Sequence, residues 1–324
     1  LTTFLGRDGE IKAVVGLVGS HRLVTLTGPG GTGKTRLSIE VARRLQSRFD
    51  GGAWFVPLES LHDRSLVLPA IAERLGTTSS PGQSTTEAIA DTIAERDTLL
   101  VLDNLEQVIE AAPDIDLLLE TVAHLYVIAS SREALRVAGE QEFPVPVLDE
   151  ALAVDLFVER ARQVRPDFAP DAEERRRLLA LVARLDRLPL AIELAAARAR
   201  RFSVAVLHER VTADLAGLDS GRRDAVDRQR TLRGAVAWSY ELLDEAERHA
   251  FDRLAVFAGG ADLGVLEDVL GHGQGEDVPG LVESLADKSL LAIESGPGGM
   301  PRARMLETIH AFAEERLALD PERD

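Results

Sequence analysis

The sequence predicts an α/β P-loop NTPase domain, a doubly wound parallel sheet, followed by a helical domain and a winged-helix domain. Three observations carry this. Apolar strand-like runs alternate with helical stretches over residues 1–147. A glycine-rich turn joins the first run to the helix behind it. From Asp149 the pattern is helical only, until a hairpin-like stretch close to the C-terminal end.

The strand runs are Leu23–Leu26, Ala53–Val56, Thr98–Leu102, Leu125–Ala129 and Phe143–Val147. Several are continuously apolar, as strands buried on both faces of a parallel sheet are. Helical stretches are expected over Thr35–Leu45, Ser65–Leu75, Thr86–Glu95 and Leu105–Ala123, which gives the β-then-α order of a doubly wound sheet. Beyond Asp149, Leu152, Leu156, Val158 and Ala161 recur at helical spacing. Arg175–Leu185 and Leu190–Arg200 follow, joined across Pro189. Asp219–Arg230 is polar, rich in Arg and Asp, and contains Gly221, so it reads as a linker. Helices are expected over Thr231–Leu243, Glu245–Phe257 and Val278–Lys288. Leu290–Glu294 and Arg302–Leu306 flank the turn Ser295–Gly299 as a hairpin, and Glu307–Leu317 closes the chain as a helix. The domains are therefore expected at 1–147 (nucleotide-binding), 148–218 (helical) and 219–324 (linker and winged helix).

Composition narrows the function. The chain has 324 residues, Lys+Arg 37 against Asp+Glu 54, a net charge of −17 and no cysteine. Disulfides, zinc–thiolate sites and thiol catalysis are excluded. The acidic balance opposes phosphate backbones and anionic lipid, so this chain is not expected to bind nucleic acid directly. Leu188–Ala197, the best apolar run, is too short to span a bilayer and is interrupted by Glu193. The first residues lack a basic-then-apolar leader pattern, and the cytoplasm is the expected compartment. The chain starts at Leu1 without Met and reads as a piece of a longer protein.

The chemistry concentrates in three segments. Gly28-Pro-Gly30-Gly31-Thr32-Gly33-Lys34-Thr35 follows a strand and opens a helix, as a P-loop requires. Its glycines let backbone N–H groups turn inward around phosphates, and the helix adds its positive N-terminal dipole. Lys34 is expected to bridge the β- and γ-phosphates of ATP, and the Thr35 hydroxyl to ligate Mg²⁺. The second segment, Leu99–Asn104, is an apolar strand ending in Asp103, the Walker-B arrangement that holds Mg²⁺ beside a P-loop. Asn104 follows where many related ATPases carry a second acid. Asn accepts no proton, so hydrolysis is expected to be slow. Glu106 is the nearest acid able to take that place, against the plainer role of a helix-start carboxylate. In the third, Val127–Arg132, a strand ends in two serines and an arginine, and Arg132 is expected to sense the γ-phosphate.

Together these motifs resemble the STAND class of signal-transducing ATPases. They are closest to the NB-ARC-like nucleotide-binding module of bacterial SARP-type and LuxR-type transcriptional regulators. Phe4-Leu5-Gly6-Arg7 with Glu10 resembles the family's adenine-side motif, and Leu26–Leu37, which includes Arg36, resembles its P-loop segment. Leu102–Glu106 looks like its Walker B, Ala129–Leu135 its sensor segment, and Leu185–Ala196 its GLPLA helix. Thr231–Leu243, Leu254–Gly260, Asp287–Leu291 and Met305–Ile309 look like its winged-helix domain. The resemblance implies that Leu5, Arg7 and Pro189 line the base. It implies ATP/ADP and Mg²⁺ as cofactors, nucleotide-dependent self-assembly, and flanking DNA-binding and sensor domains. Two positions depart from it. The GLPLA glycine is Arg187, and Leu306 stands where NB-ARC relatives place a His that contacts the ADP β-phosphate. His310, one turn on along the same helix face, is a candidate substitute, against the plainer reading of a structural or idle histidine.

Two other classes compete with a regulatory switch. A metabolic P-loop kinase would need an acceptor pocket and a general base, and the seven His residues form no such constellation. A direct DNA-binding winged helix would need a basic face, whereas Asp244–Leu317 carries many acids.

Overall fold

The computed structural model describes residues 4–318 except 59–60, 79, 198, 200–201, 214–235, 238–239, 242, 258–259, 271–276, 288–289, 296–299 and 306. The expected linker Asp219–Arg230, most of Thr231–Leu243 and Leu306 lie outside the described residues. The chain divides into two units: residues 1–28 with 33–145, and residues 29–32 with 146–324.

The first unit is a five-stranded sheet in the order β2-β3-β4-β1-β5, with every neighbouring pair parallel. Its strands are β1 (Leu23–Thr27), β2 (Ala53–Pro57), β3 (Thr98–Asp103), β4 (Leu125–Ser130) and β5 (Glu140–Pro144). β1 and β3 are buried at every position, which is why Leu99–Leu102 runs continuously apolar and β1 is broken only by the buried Thr25 and Thr27. The twofold alternation of side chains sorts them between the two faces. Leu100 and Leu102 join one core with Ile71, Ile89, Ile115 and Leu118. Leu99 and Val101 join the other with Ile11, Val14, Leu37 and Val41. Helices therefore cover both faces: α1 (Asp8–Val18) and α2 (Lys34–Leu45) one, and α3 (Val67–Leu75), α4 (Thr85–Ile93) and α5 (Ala112–Thr121) the other. This is the expected doubly wound parallel sheet.

Three local expectations are corrected. The single helix expected over 105–123 is a 3₁₀ stretch, Leu105–Ala111, followed by α5. Val108 leaves helical geometry at φ −137°, ψ 44°, and Pro113 in the first turn of α5 suits a new start. The fifth strand occupies Glu140–Pro144 rather than 143–147, because its register is fixed by pairing from Leu23↔Glu140 to Thr27↔Pro144. The edge position tolerates a proline there. Helix α1 was not anticipated; Gly9 and Gly16 dilute its helical signal.

The second unit begins with helices α6 (Glu150–Val164), α7 (Ala172–Arg184), α8 (Pro189–Ala197) and α9 (Val204–Ala213). Asp149 and Asp171 cap α6 and α7, the latter in a capping box with Glu174. α7 ends in a Schellman turn. The N–H of Arg187 donates to the Val182 carbonyl and that of Asp186 to the Ala183 carbonyl, with both residues left-handed at φ 55° and 51°. Further on come α10 (Glu245–Leu254), β6 (Ala261–Asp262), α11 (Leu263–Leu270), α12 (Val278–Asp287), β7 (Ala292–Ser295), β8 (Pro301–Arg304) and α13 (Glu307–Leu317). The strands form an antiparallel sheet in the order β6-β8-β7, which contains the expected hairpin. β6 and α11 were not anticipated. Tyr240, Phe251 and Phe312 make edge-on and tilted ring contacts in the core of this part. Among the described residues, no helix is long and apolar enough to cross a membrane.

Candidate nucleotide-binding site

In the first unit the site lies at the carboxyl ends of β1, β3 and β4, where open α/β sheets place their ligands. β4 runs between β1 and β3, so the segment after β4 stands between the loop after β1 and the acid that ends β3.

The loop after β1 needs glycine. Gly28, Gly31 and Gly33 have φ of 143°, 81° and 89°, which side chains with a Cβ rarely adopt. Gly33 is the N-cap of α2 and makes no side-chain cap hydrogen bond. Lys34 is buried and its Nζ donates to the Gly28 carbonyl at 2.6 Å. Burial holds its ammonium down to about 8. Glu106 and Asp103 oppose that shift, and Arg132 adds to it.

The Thr35 hydroxyl donates to Asp103 Oδ1 at 2.7 Å. The Ser130 hydroxyl donates to the same oxygen and accepts the Asn104 N–H at 3.0 Å. Burial pushes the Asp103 carboxyl up, and the two hydroxyls pull it back toward the charged form. Asn104 itself is left-handed at φ 61°, a conformation asparagine accepts more readily than most residues. Arg132 Nε lies 3.2 Å from Glu106 Oε1, with both side chains about 5% exposed or less. Burial pushes the Arg132 guanidinium down, against Glu106 and Glu133. Glu106 Oε2 is buried without a hydrogen-bond partner.

The structure thus brings Lys34, Thr35, Asp103, Glu106 and Arg132 together. Ser130 belongs with them although sequence reasoning did not single it out. Its signal is a hydroxyl at the end of a strand flanked by the loop strand and the acid strand, and that strand order is not written in the local sequence. Arg36 stacks its guanidinium over the Phe4 ring at 5.9 Å, tying the segment that carries Leu5 to α2. Arg7 is buried and left-handed at the N-cap of α1.

Within the second unit, Pro189 opens α8 and the N–H of Leu190 donates to the Gly31 carbonyl at 3.2 Å. A Cβ on Gly31 would stand 3.0 Å from that of Leu190, so the backbone approaches closely only because position 31 is glycine. The Thr32 hydroxyl donates to the Pro29 carbonyl at 3.0 Å and closes the turn. Gly30 lies half-buried in the same segment.

Thr35 and Asp103 offer hard oxygen donors suited to Mg²⁺, and among the described residues no group of three His, Cys, Asp or Glu forms a metal cage. Mg²⁺ takes one or two protein oxygens and completes its shell with phosphates and water.

Comparison with known proteins gives the family and the fold. A family model described as an AAA domain matches residues 18–144. An uncharacterized protein of Mycobacterium tuberculosis is 38% identical over all of this chain and 84% of its own length. A protein of the same species, provisionally named an HTH-type transcriptional regulator, is 38% identical over 95% of this chain. The regulatory protein AfsR of Streptomyces coelicolor is 30% identical over 89%. The matches span 35% and 29% of those two regulators. A chain from the structure of Drosophila ORC bound to DNA has the same fold at TM-score 0.50 and 12% identity, over 98% of this chain and 96% of that one. The chain belongs to one family with the Mycobacterium tuberculosis protein that it matches along its whole length, carries an AAA-domain segment at residues 18–144, and is similar over part of their length to the two named regulators.

Proposed function

We propose that this chain is an ATP-binding, slowly hydrolysing switch within a multidomain transcriptional regulator. The observation that carries the reading is the bond from Thr35 to Asp103 beside the glycine-rich loop and its lysine. In this reading Lys34 leaves the Gly28 carbonyl for the β- and γ-phosphates, and Thr35 and Asp103 hold Mg²⁺ directly or through water. Mg²⁺, when bound, neutralises phosphate charge. Arg132 senses the γ-phosphate, and Glu106 orients the attacking water that Asn104 cannot deprotonate. Leu5, Arg7 and Pro189 serve the base, and Gly28, Gly30, Gly31, Thr32, Gly33 and Arg36 serve the phosphates.

The partners proposed are further copies of the chain, assembling when the nucleotide changes, and flanking DNA-binding and sensor domains in a cytoplasmic regulator. The tripartite division at 147 and 218, with a winged helix built on α10–α13, belongs to the same proposal. The helix–strand–helix–helix–hairpin order of the C-terminal part supports it.

The test is nucleotide binding and turnover by the purified chain and by Lys34→Ala. The wild type should bind ATP and ADP with Mg²⁺ and turn over slowly, and the folded variant should lose triphosphate binding. Equal affinities in the two proteins would overturn the reading.

A further inference from the structure

We propose that Glu106 and Arg132 act as an exclusive pair. Without a γ-phosphate, Glu106 holds Arg132, and a triphosphate draws Arg132 away and frees the Glu106 carboxylate in the same event. This deepens the ATP-switch reading and rests on it.

The pair is unusual for its setting. Arg132 Nε and Glu106 Oε1 are 3.2 Å apart, with the side chains 4% and 5% exposed. A buried ion pair returns its desolvation cost only with good geometry and further hydrogen bonds. Here Glu106 Oε2 is buried with no hydrogen-bond partner, so the carboxylate is not fully satisfied by the contact that holds it. It sits on the turn directly after Asp103, in electrostatic range of Lys34. Lys34, Arg132, Asp103 and Glu106 balance to zero net charge. A γ-phosphate adds negative charge beside them and competes with Glu106 for Arg132 through stronger, charge-assisted hydrogen bonds. A carboxylate held by an arginine has its charge offset and its direction fixed by that contact, and it turns to a water on the γ-phosphate side only once the arginine leaves. The exchange therefore couples recognition of the third phosphate to preparation for its hydrolysis. A diphosphate offers no competitor and leaves the pair closed.

The experiment is a double-mutant cycle on binding of a non-hydrolysable triphosphate and of ADP, using the full chain, Glu106→Gln, Arg132→Gln and the double variant. Glu106→Gln has no charged pair to open, so its triphosphate affinity should rise, on the order of tenfold, while ADP affinity stays unchanged. Removing a negative charge near phosphates would also help, so the Arg132→Gln background measures that part. There the gain from Glu106→Gln should be several times smaller. Equal gains in the two backgrounds would overturn the pair.

An arginine variant that fails to fold leaves a second readout in the wild type. The Nε–H resonance of Arg132, assigned by its loss in Arg132→Lys, should move with the triphosphate and not with ADP. Glu106→Gln should already show it displaced without nucleotide. A resonance that responds alike to both nucleotides would overturn the proposal. A wild type that binds no triphosphate would overturn the switch reading and the pair with it. A wild type that binds and discriminates but shows an additive cycle overturns the pair alone.

Discussion

Thr35, in the first turn of α2, and Asp103, at the end of β3, lie 68 positions apart in sequence and share a 2.7 Å hydrogen bond, although β3 and the β1 that leads to α2 are not neighbours. The strand between them, β4, supplies Ser130, whose hydroxyl reaches the same Asp103 oxygen and also accepts the Asn104 N–H. One serine thus sets both the rotamer of the acid and the backbone that follows it.

Ser130→Ala should therefore do two things. It leaves the half-buried Asn104 N–H without this acceptor and the buried Asp103 with one fewer donor, which should cost about 1–2 kcal/mol of stability. It should also raise the Mg²⁺ concentration that half-saturates nucleotide binding several-fold, because the carboxylate is less well held. Ser130→Thr should keep most of both. Denaturant unfolding and a Mg²⁺ titration check this; an alanine variant with wild-type Mg²⁺ dependence would return Ser130 to a packing role.

Lys34 makes stability depend on pH in a direction opposite to the usual buried carboxylate. Its folded value is held to about 8 against an ordinary 10.5. Between these values the unfolded chain keeps a proton that the folded chain has released, so stability rises with pH across the window. Below about 8 the full cost of burying the ammonium is present. The contribution is at most about 3 kcal/mol. Lys34→Met should lack this slope and unfold later than wild type at neutral pH. If phosphate binding restores the charged form, triphosphate binding near pH 8.5 should take up a proton, visible as a buffer-dependent heat in calorimetry.

Most of the first unit was legible because its signals are local. A buried strand writes a continuous apolar run, and the loop writes its glycines. The fifth strand was misplaced because its polar residues, Glu140 to Glu142, are specified by register against β1 and not by their own pattern. Glu140 in fact accepts the N–H groups of Leu135 and Arg136. Lys34, Thr35, Asp103, Glu106 and Arg132 were named from motif and spacing. Ser130 was not, because its role depends on β4 lying between β1 and β3, a fact of topology. The pairing of Glu106 with Arg132 was invisible for the same reason.

Arg187 stands at the last residue of the α7 turn with φ 55°, where only glycine is free of strain. Arg187→Gly should stabilise the chain by about 0.5–1 kcal/mol, the relief of the left-handed conformation less the larger entropy of glycine in the unfolded chain. The Schellman bonds from Arg187 and Asp186 need only backbone and survive the change. Thermal unfolding with nucleotide absent checks it. A destabilised glycine variant would mean that the Arg187 side chain stabilises the fold by more than its backbone costs.

The C-terminal part contains a helix, strand and hairpin order often used on duplex DNA, yet this chain should not read DNA by itself. Specific binding begins with neutralisation of phosphates by Lys and Arg, which also gives it a steep salt dependence. The chain carries a net charge of −17 and three lysines, one of them Lys34. Within the hairpin, Arg302 is not offered freely to a groove: its guanidinium donates to the Gly260 carbonyl at 2.7 Å and lies 3.6 Å from Asp262. Helix α10 presents Glu245 in its first turn beside the capping pair Asp244 and Glu247, the end at which a DNA phosphate would otherwise find a positive dipole. At physiological salt, fluorescence titration with promoter duplex should give weak binding that a scrambled duplex matches, with or without ATP. Tight binding that discriminates against the scrambled duplex would make the C-terminal part a reader of sequence. It would also remove the need for a flanking domain to supply that contact.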